Sequence, residues 1–203
     1  DLVPVIMHDE KVDRTTDGSG YVYDLTFDEI RRLDCSYPDK FGGKFGQLEV
    51  TSLREYLEWM AEEENLITNI ELKNSVYYYG GMERMVMDMI CEYGLEDRII
   101  LSSFNNASIV LCRQNDDTIA GGFLVERCVE NAGVYARTCD VQYYHPNMDY
   151  LKEEHVRSCS QNGVGVNVWT VNEKEDMRRM KKWGVSSIIT NYPDRGREVA
   201  DEE

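Results

Sequence analysis

Short apolar runs alternate with amphipathic, helix-like stretches along most of this 203-residue chain. The apolar runs have the length of buried strands, and capping residues or glycines separate them from the helical stretches. This alternation predicts an α/β fold in which helices connect the parallel strands of one sheet. We expect seven strands, at residues 3–7, 66–72, 98–102, 118–125, 139–144, 164–171 and 185–190, and a last helix over residues 194–203.

The length suits a single domain, because no repeat, low-complexity tract or linker interrupts the alternation. We therefore predict one domain over residues 1–203, with a small irregular insertion at residues 34–50, where glycines and a proline occur. Capping-box spacing at Thr26–Glu29 and at Ser52–Glu55 predicts that a helix begins at each of these positions.

The charge of the chain limits the classes of partner. There are 38 acidic and 22 basic residues, which gives a net charge of −16. This charge opposes binding to nucleic acid and to anionic membrane surfaces, and it suits a site that gathers carboxylates around a divalent cation. No apolar run approaches the roughly 20 residues that span a bilayer, so we expect no stable membrane insertion. The scattered cysteines favour a reducing, cytoplasmic location, although secretion stays open because a signal peptide would precede Asp1.

The densest group of polar residues follows immediately after the first predicted strand. Parallel α/β proteins bind ligands at the ends of their strands, and a histidine placed there can transfer protons. His8 is therefore a candidate catalytic residue that Asp9 would orient, and Arg14 could contact a phosphate. For Arg14, a loop-stabilising pair with Asp13 or Asp17 is at least an equal alternative to a phosphate contact. For His8, the alternative is a polar loop in which it only hydrogen-bonds to Asp13 or to a nearby carbonyl. The number of polar residues in this stretch favours a functional site.

Glu71 and Lys73 flank Leu72 at the end of another predicted strand, and strand alternation places both on one face. A buried parallel strand is normally apolar on both faces, so an inward Glu-x-Lys pair needs an explanation. The pair could form a salt bridge that fills the mouth of a barrel. Alternatively, Glu71 binds a hard divalent cation while Lys73 neutralises a phosphate. We favour the second interpretation, because three further strand ends also carry polar or aromatic residues.

For the other aromatic and histidine residues, the sequence allows either a packing role or a functional role. Phe104 and Trp169 end predicted strands, where core packing is the default role of a buried aromatic ring. His145 also lies at the end of a predicted strand, where it could be functional. Because a proline follows it, a role as a turn residue is an equal alternative. His155 lies on the apolar stripe of a predicted helix, and we interpret it as structural.

Several motifs of this chain resemble those of one enzyme family. The stretch VPVIMHDEKVDRTTDGSG at residues 3–20 resembles the second-strand motif of the glycerophosphodiester phosphodiesterases. The segments IELK, SSF, VWTVN and IITNYPD follow in the order in which that family has them, at residues 70–73, 102–104, 168–172 and 188–194. The resemblance covers nearly the whole chain and implies a (β/α)8 TIM-type barrel, whose usual length is about 250 residues.

The resemblance also implies roles for individual residues. His8 matches one of the two catalytic histidines of the family, Glu71 matches its third metal carboxylate, and Lys73 matches the lysine that binds the substrate phosphate. Trp169 would wall the pocket for the glycerol moiety, with Phe104 and Arg14 as further substrate-binding residues. The implied cofactor is Mg²⁺ or Ca²⁺, since the ligands are carboxylates. The insertion at residues 34–50 would overhang the active site.

One departure from the family pattern concerns the beginning of the chain. Family members start with a strand ending in His-Arg-Gly and carry a Glu-x-Asp pair early in the second strand, and neither motif occurs here. We therefore expect that strand 1, helix 1 and the start of strand 2 precede Asp1 in the natural protein. We also expect the 203 residues alone to be inactive.

The sequence thus predicts a metal-dependent enzyme that hydrolyses glycerophosphodiesters to sn-glycerol 3-phosphate and an alcohol. Its partner would be this small-molecule substrate, and the sequence does not predict an oligomeric state. One alternative is a phospholipase D-like enzyme that acts on lysophospholipids. Another is a barrel without catalytic activity that binds phosphate esters or a protein. Motifs upstream of Asp1 would discriminate the last alternative from an enzyme.

Overall fold

A computed structural model describes residues 1–202 of the chain. Two compact units divide the molecule. The first consists of Asp1–Leu66 and Lys73–Leu95, and the second consists of Ile67–Leu72 and Glu96–Glu203. The prediction of a single barrel domain over residues 1–203 stays a prediction, and Glu203 itself lies outside the described residues.

The second unit is built on a parallel sheet whose six strands are hydrogen-bonded in chain order, with no reversal. Parallel strands that neighbour one another in chain order are typical of a barrel, whereas the strand order of a doubly wound sheet reverses at a switch point. The sheet is thus part of a (β/α)8 barrel, as the sequence predicted. Its strands are β1 (Thr68–Glu71), β2 (Ile99–Ser103), β3 (Ala120–Val125), β4 (Tyr143–Pro146), β5 (Gly165–Val168) and β6 (Ser187–Ile188).

The strands lie in the interior of this unit because their side chains are largely apolar. In β3, the five residues from Gly121 to Val125 are all buried, as expected of a strand covered on both faces. Most connections in this unit contain a helix, which parallel strands require. Four helices and a terminal helix belong here: Asn106–Asn115, Ala132–Thr138, Glu153–Gln161, Lys174–Trp183 and Pro193–Ala200.

The first unit is helical and irregular. Its helices are Phe27–Arg31, Pro38–Phe41, Leu53–Glu62 and Met82–Glu92. Both predicted capping boxes are present, with Thr26 and Ser52 as the N-cap residues. The longest two helices bury apolar stripes that include Leu57, Met60 and Ile90, and the pair Arg54–Glu92, with 3.0 Å between Nη1 and Oε1, links their surfaces.

The structure corrects three predictions of secondary structure. Residues 3–7 are not a strand: Val5 forms one isolated antiparallel bridge to Ser52, and Ile6 is 46% exposed. The strand predicted at residues 139–144 is displaced to Tyr143–Pro146, so His145 lies inside a strand and not in a turn. The insertion at residues 34–50 contains a short helix, Pro38–Phe41, in an otherwise irregular loop. Over residues 1–202, no helix has the length and apolar content that crossing a bilayer requires.

Candidate functional site

The loop that follows His8 and carries Arg14 is closed by its own backbone. Lys11 and Tyr21 form an antiparallel bridge, Val12 N–H donates to the Gly20 carbonyl at 3.0 Å, and Val22 N–H donates to the Glu10 carbonyl at 2.9 Å. The chain therefore leaves and returns at nearly the same place, and residues 12–20, including Arg14, are held between these hydrogen bonds, with His8 just before them in the chain. Gly20 permits the return because its φ of 115° lies in the left-handed region that glycine tolerates.

His8 and Asp9, just before this loop, form a connected group with Arg14 inside it. The Nδ1 atom of His8 lies 2.7 Å from Oδ1 of Asp9. Arg14 donates two hydrogen bonds to the same carboxylate, from Nε to Oδ2 at 2.6 Å and from Nη2 to Oδ1 at 2.9 Å. The expected role of Asp9 as the residue that orients His8 agrees with these contacts. The His8 side chain is 76% exposed, so its ring is accessible to a ligand.

The charges in this group fix which nitrogen of His8 holds the proton. The hydrogen bonds from Arg14 hold the pKa of Asp9 well below its usual range, with a smaller contribution from His8, so Asp9 stays ionised at neutral pH. An ionised carboxylate only accepts hydrogen bonds, and the Nδ1 atom of His8 must therefore be the donor. In neutral His8, the Nε2 atom is left as the base.

The predicted alternative partners of Arg14 are wrong. Asp13 instead accepts a hydrogen bond from Gly20 N–H at 3.0 Å, and Asp17 accepts one from Asp34 N–H at 2.8 Å. Arg14 does stabilise the loop, but through Asp9. The sequence offered four nearby acids, and only the three-dimensional structure shows which of them the guanidinium reaches.

Lys73 also belongs to the first unit, where it is half-buried. The next residue, Asn74, is buried and donates from Nδ2 to Oε1 of Glu83 at 3.0 Å. This hydrogen bond anchors the start of the loop that leads to Gly81. Because Asn74 follows Lys73 directly, the backbone of the lysine is anchored as well.

Glu71 is the last residue of β1 in the second unit, in register with Ser102 of β2. The end of β1 is fixed by two hydrogen bonds: Leu72 N–H donates to the Ser102 carbonyl at 2.7 Å, and the Ser103 hydroxyl donates to the Leu72 carbonyl at 2.8 Å. Ser103 also accepts from Asn105 N–H at 3.0 Å. The SSF segment therefore ties the end of β1 to the turn that follows β2.

Phe104 and Trp169, which the sequence placed at two strand ends, contact each other. Their ring centroids are 5.6 Å apart, and the rings meet edge to face at 83°. Trp169 Nε1 donates to the His145 carbonyl at 2.8 Å, which fixes the indole ring. Phe104 is 40% exposed, so the pair forms an accessible aromatic wall and not a part of the buried core.

His145 is the buried end of a chain of polar side chains that the sequence did not reveal. Ser187 Oγ donates to Asn167 Oδ1 at 2.8 Å, and Asn167 Nδ2 lies 3.1 Å from His145 Nε2. Since the amide nitrogen donates, Nε2 accepts, and the proton of the neutral ring is on Nδ1. Burial lowers the pKa of His145 to about 4. Within residues 1–202, Nδ1 of His145 and Oγ of Ser102 are buried atoms with no hydrogen-bond partner.

The remaining histidine is structural, as predicted. His155 is buried and accepts the Lys152 N–H at its Nδ1, at 3.1 Å, at the start of its helix. No group of three or more His, Cys, Asp or Glu residues in the described part of the chain is arranged to hold a metal ion. The structure thus joins His8 with Arg14 through Asp9, and Phe104 with Trp169.

Comparison with known proteins identifies the class. A sequence profile of the glycerophosphoryl diester phosphodiesterase family matches residues 1–195. A glycerophosphodiester phosphodiesterase of Caldanaerobacter subterraneus subsp. tengcongensis is 38% identical over 190 residues, which is 94% of this chain and 77% of that protein. The chain therefore belongs to the glycerophosphoryl diester phosphodiesterase family, a family of phosphoric diester hydrolases.

Solved structures support the fold. A putative glycerophosphoryl diester phosphodiesterase of Silicibacter pomeroyi has a TM-score of 0.84 and 26% identity, covering 97% of this chain and 78% of that chain. An Oleispira antarctica phosphodiesterase, solved in complex with the product sn-glycerol-3-phosphate, has a TM-score of 0.81 and 23% identity, covering 98% of this chain and 80% of that chain. At 23% identity, the similarity to the Oleispira antarctica structure concerns the fold alone.

Proposed function

We propose that the protein hydrolyses glycerophosphodiesters to sn-glycerol 3-phosphate and an alcohol, with His8 as a proton-transfer residue. The observation that supports this most is the group of His8, Asp9 and Arg14, in which an ionised Asp9 holds the Nδ1 proton of an exposed histidine. Membership of the phosphodiesterase family supplies the reaction class. The relative from Oleispira antarctica was solved with the proposed product, sn-glycerol-3-phosphate.

Hydrolysis breaks the bond between phosphorus and the alcohol oxygen, and water supplies the new P–O bond. One proton leaves the attacking oxygen, and one proton joins the departing alcohol. His8 Nε2 can accept or deliver a proton because its ring is accessible and its other nitrogen already donates to Asp9. Asp9 keeps this orientation and stabilises the protonated ring while the proton is held there.

The phosphate and the glycerol are assigned to other residues. Lys73 supplies the positive charge that neutralises the phosphate. The backbone of Lys73 is anchored through the hydrogen bond between Asn74 and Glu83. The wall of Phe104 and Trp169 offers an apolar surface to the glycerol carbons. The side chain of Arg14 donates two hydrogen bonds to Asp9 and also interacts with Tyr37, which supports a positioning role for Arg14 more than a direct phosphate contact.

The metal dependence implied by the family resemblance stays a prediction. Mg²⁺ and Ca²⁺ take several oxygen ligands, usually six or more in all. In the described part of the chain no cluster of three or more potential ligands exists, so these residues alone do not form a metal site. Glu71 would contribute one carboxylate to such a site.

Glu71→Gln tests this assignment in the full-length protein. If Glu71 is a ligand, the variant loses both hydrolysis and the stabilisation that Mg²⁺ or Ca²⁺ gives the wild type. That stabilisation would be about 2.7 kcal/mol at a hundredfold excess over Kd, and thermal unfolding with and without each ion measures it. Glu64→Gln, an exposed carboxylate in the first unit, is the control. A Glu71→Gln protein with the wild-type thermal shift would contradict the assignment.

A further inference from the structure

The backbone pairing of β4 with β5 is interrupted at a proline. The pairs stop before His145 and resume beyond Pro146, where Asn147 pairs with Trp169. Met148 N–H donates to the Trp169 carbonyl at 2.7 Å. Every second N–H of a strand faces the same neighbour, so the preceding donor toward β5 would be that of residue 146, and proline has none. The ladder is therefore one hydrogen bond short at this point.

Two side-chain hydrogen bonds join the strands at this interruption. β4 is an inner strand between β3 and β5, whereas proline is found mainly at sheet edges and bulges, because it cannot donate to a ladder. Asn167 Nδ2 donates to His145 Nε2 at 3.1 Å, and Trp169 Nε1 donates to the His145 carbonyl at 2.8 Å. His145 is thus bonded both to β5 and to the residue that follows β5.

Asn167 is the residue that fixes the orientation of the His145 ring. Its amide oxygen accepts from Ser187 Oγ of β6 at 2.8 Å, and its amide nitrogen donates to His145. Both ends of the amide are used, so a rotation of this side chain would break both hydrogen bonds. Asn167 is 5% exposed and His145 is 0% exposed, and a buried polar group that loses its partner destabilises the fold. The His145 ring therefore has one favoured position.

This network ends at the aromatic wall of Phe104 and Trp169. Asn167 and Trp169 are two residues apart in extended chain, so their side chains lie on the same face. An indole has one donor, and in Trp169 this N–H is bonded to the His145 carbonyl. The indole then meets Phe104 edge to face, at a centroid distance of 5.6 Å. The hydrogen bonds that start at Ser187 therefore run through the interior and reach an accessible surface.

We propose that Asn167 is a positioning residue for substrate binding, which acts through His145 and Trp169. The amide holds the His145 ring, and His145 holds the indole at the angle that it presents to Phe104. Loss of the amide leaves the aromatic wall in place but lets the indole rotate. The inference rests on the proposed function, because it concerns the wall against which the glycerol moiety lies.

Asn167→Leu tests this in the full-length protein, since leucine has a similar size and no hydrogen-bonding group. The KM for a glycerophosphodiester should rise by roughly 2-fold to 10-fold, the range of one aromatic contact, while kcat changes little. Val166→Ala is the control, because it removes buried packing from the neighbouring residue of β5 and leaves the network intact. It should lower stability and keep KM. Ser187→Ala should raise KM less than Asn167→Leu does, and Ser187→Thr, which keeps the hydroxyl, should keep it.

Hydrogen exchange of the Trp169 indole is a measurement that does not depend on activity. Trp169→Phe assigns the NMR signal of this N–H. Relative to the backbone N–H groups of β5, it should exchange with D2O roughly 2-fold to 10-fold faster in Asn167→Leu than in the wild type, because the support of about one hydrogen bond is lost. Val166→Ala should leave this ratio unchanged.

Three results overturn the inference: an unchanged KM in an active Asn167→Leu protein, an unchanged indole exchange ratio, or the same changes in Val166→Ala. Should Asn167→Leu not fold, Ser187→Ala decides by the same two measurements. A wild type that hydrolyses no glycerophosphodiester contradicts the proposed function, and the exchange ratio then decides alone whether Asn167 positions Trp169.

Discussion

His8 in the first unit and His145 in the second are the same residue type in opposite surroundings. His8 is 76% exposed and donates from Nδ1 to a carboxylate. His145 is completely buried, accepts at Nε2 from a neutral amide, and has a pKa lowered to about 4 by burial. Both rings hold their proton on Nδ1, so the difference lies in what surrounds Nε2.

The comparison shows that the surroundings of the ring, and not the residue type, decide whether a histidine is available for proton transfer. An accessible Nε2 supported by an ionised partner can exchange a proton with a ligand. A buried ring that accepts a hydrogen bond from Asn167 is held neutral, and it contributes to packing and to the polar interior of the sheet. Three predictions test this contrast.

The largest expected effect belongs to His8. His8→Ala should lower kcat by roughly 10²-fold to 10⁴-fold, because a positioned acid–base residue contributes that factor. The melting temperature should change little, since the His8 side chain is mostly exposed. Steady-state kinetics and thermal unfolding of the full-length protein measure both quantities. An unchanged kcat, or a loss of metal-dependent stabilisation in parallel, would show that His8 is not the proton-transfer residue.

The second effect belongs to the buried ring. The folded-state pKa of His145 is lowered from 6.5 to about 4, so the unfolded chain binds the extra proton first as the pH falls. The stability that the neutral ring provides is therefore complete above pH 6.5 and is lost on acidification toward pH 4. The expected loss is about 3 kcal/mol, at about 1.4 kcal/mol per pKa unit. Denaturant unfolding of wild type and His145→Gln across this window should give a difference that changes with pH. A constant difference would contradict the lowered pKa.

The smallest effect concerns the space beside His145. A Cβ atom at Gly122 would lie 2.5 Å from Nε2 of His145, and the buried ring is fixed by Asn167. Gly122→Ala should therefore destabilise the protein by about 1–3 kcal/mol through overpacking. Gly196→Ala is the control: its Cβ would meet Ile188 Cδ1 at an ordinary 3.8 Å, within a helix where alanine is favoured. Equal stability of the two variants would mean that Gly122 does not accommodate the ring.

Much of the fold could be predicted from the sequence, because local patterns decide it. Capping boxes at Thr26 and Ser52 formed where spacing placed them. The prediction of a strand at residues 3–7 was wrong, because hydrophobicity does not show whether a neighbouring strand is present to pair with the segment.

The candidate site was harder to predict, because its contacts join residues that are distant in sequence or offer several equivalent partners. Arg14 has four acidic residues nearby in the sequence, and in the structure it pairs with Asp9. Asn167 and Ser187 reach His145 only across neighbouring strands of the sheet. The contact between the rings of Tyr21 and Tyr77 joins two segments more than fifty residues apart in the chain. These contacts depend on tertiary structure, which no local pattern contains.

The central claim, that His8 exchanges protons and His145 does not, is tested most directly by site-resolved ethoxyformylation. Diethyl pyrocarbonate attacks accessible, neutral imidazole nitrogens, and peptide mass spectrometry locates the label while activity is followed in the same sample. We predict that His8 is labelled in step with the loss of hydrolysis, and that His145, which is 0% exposed, stays unlabelled in the native protein. Hydroxylamine should remove the label and restore activity. Complete labelling of His8 with full activity retained, or labelling of His145 at the rate of His8, would contradict the account.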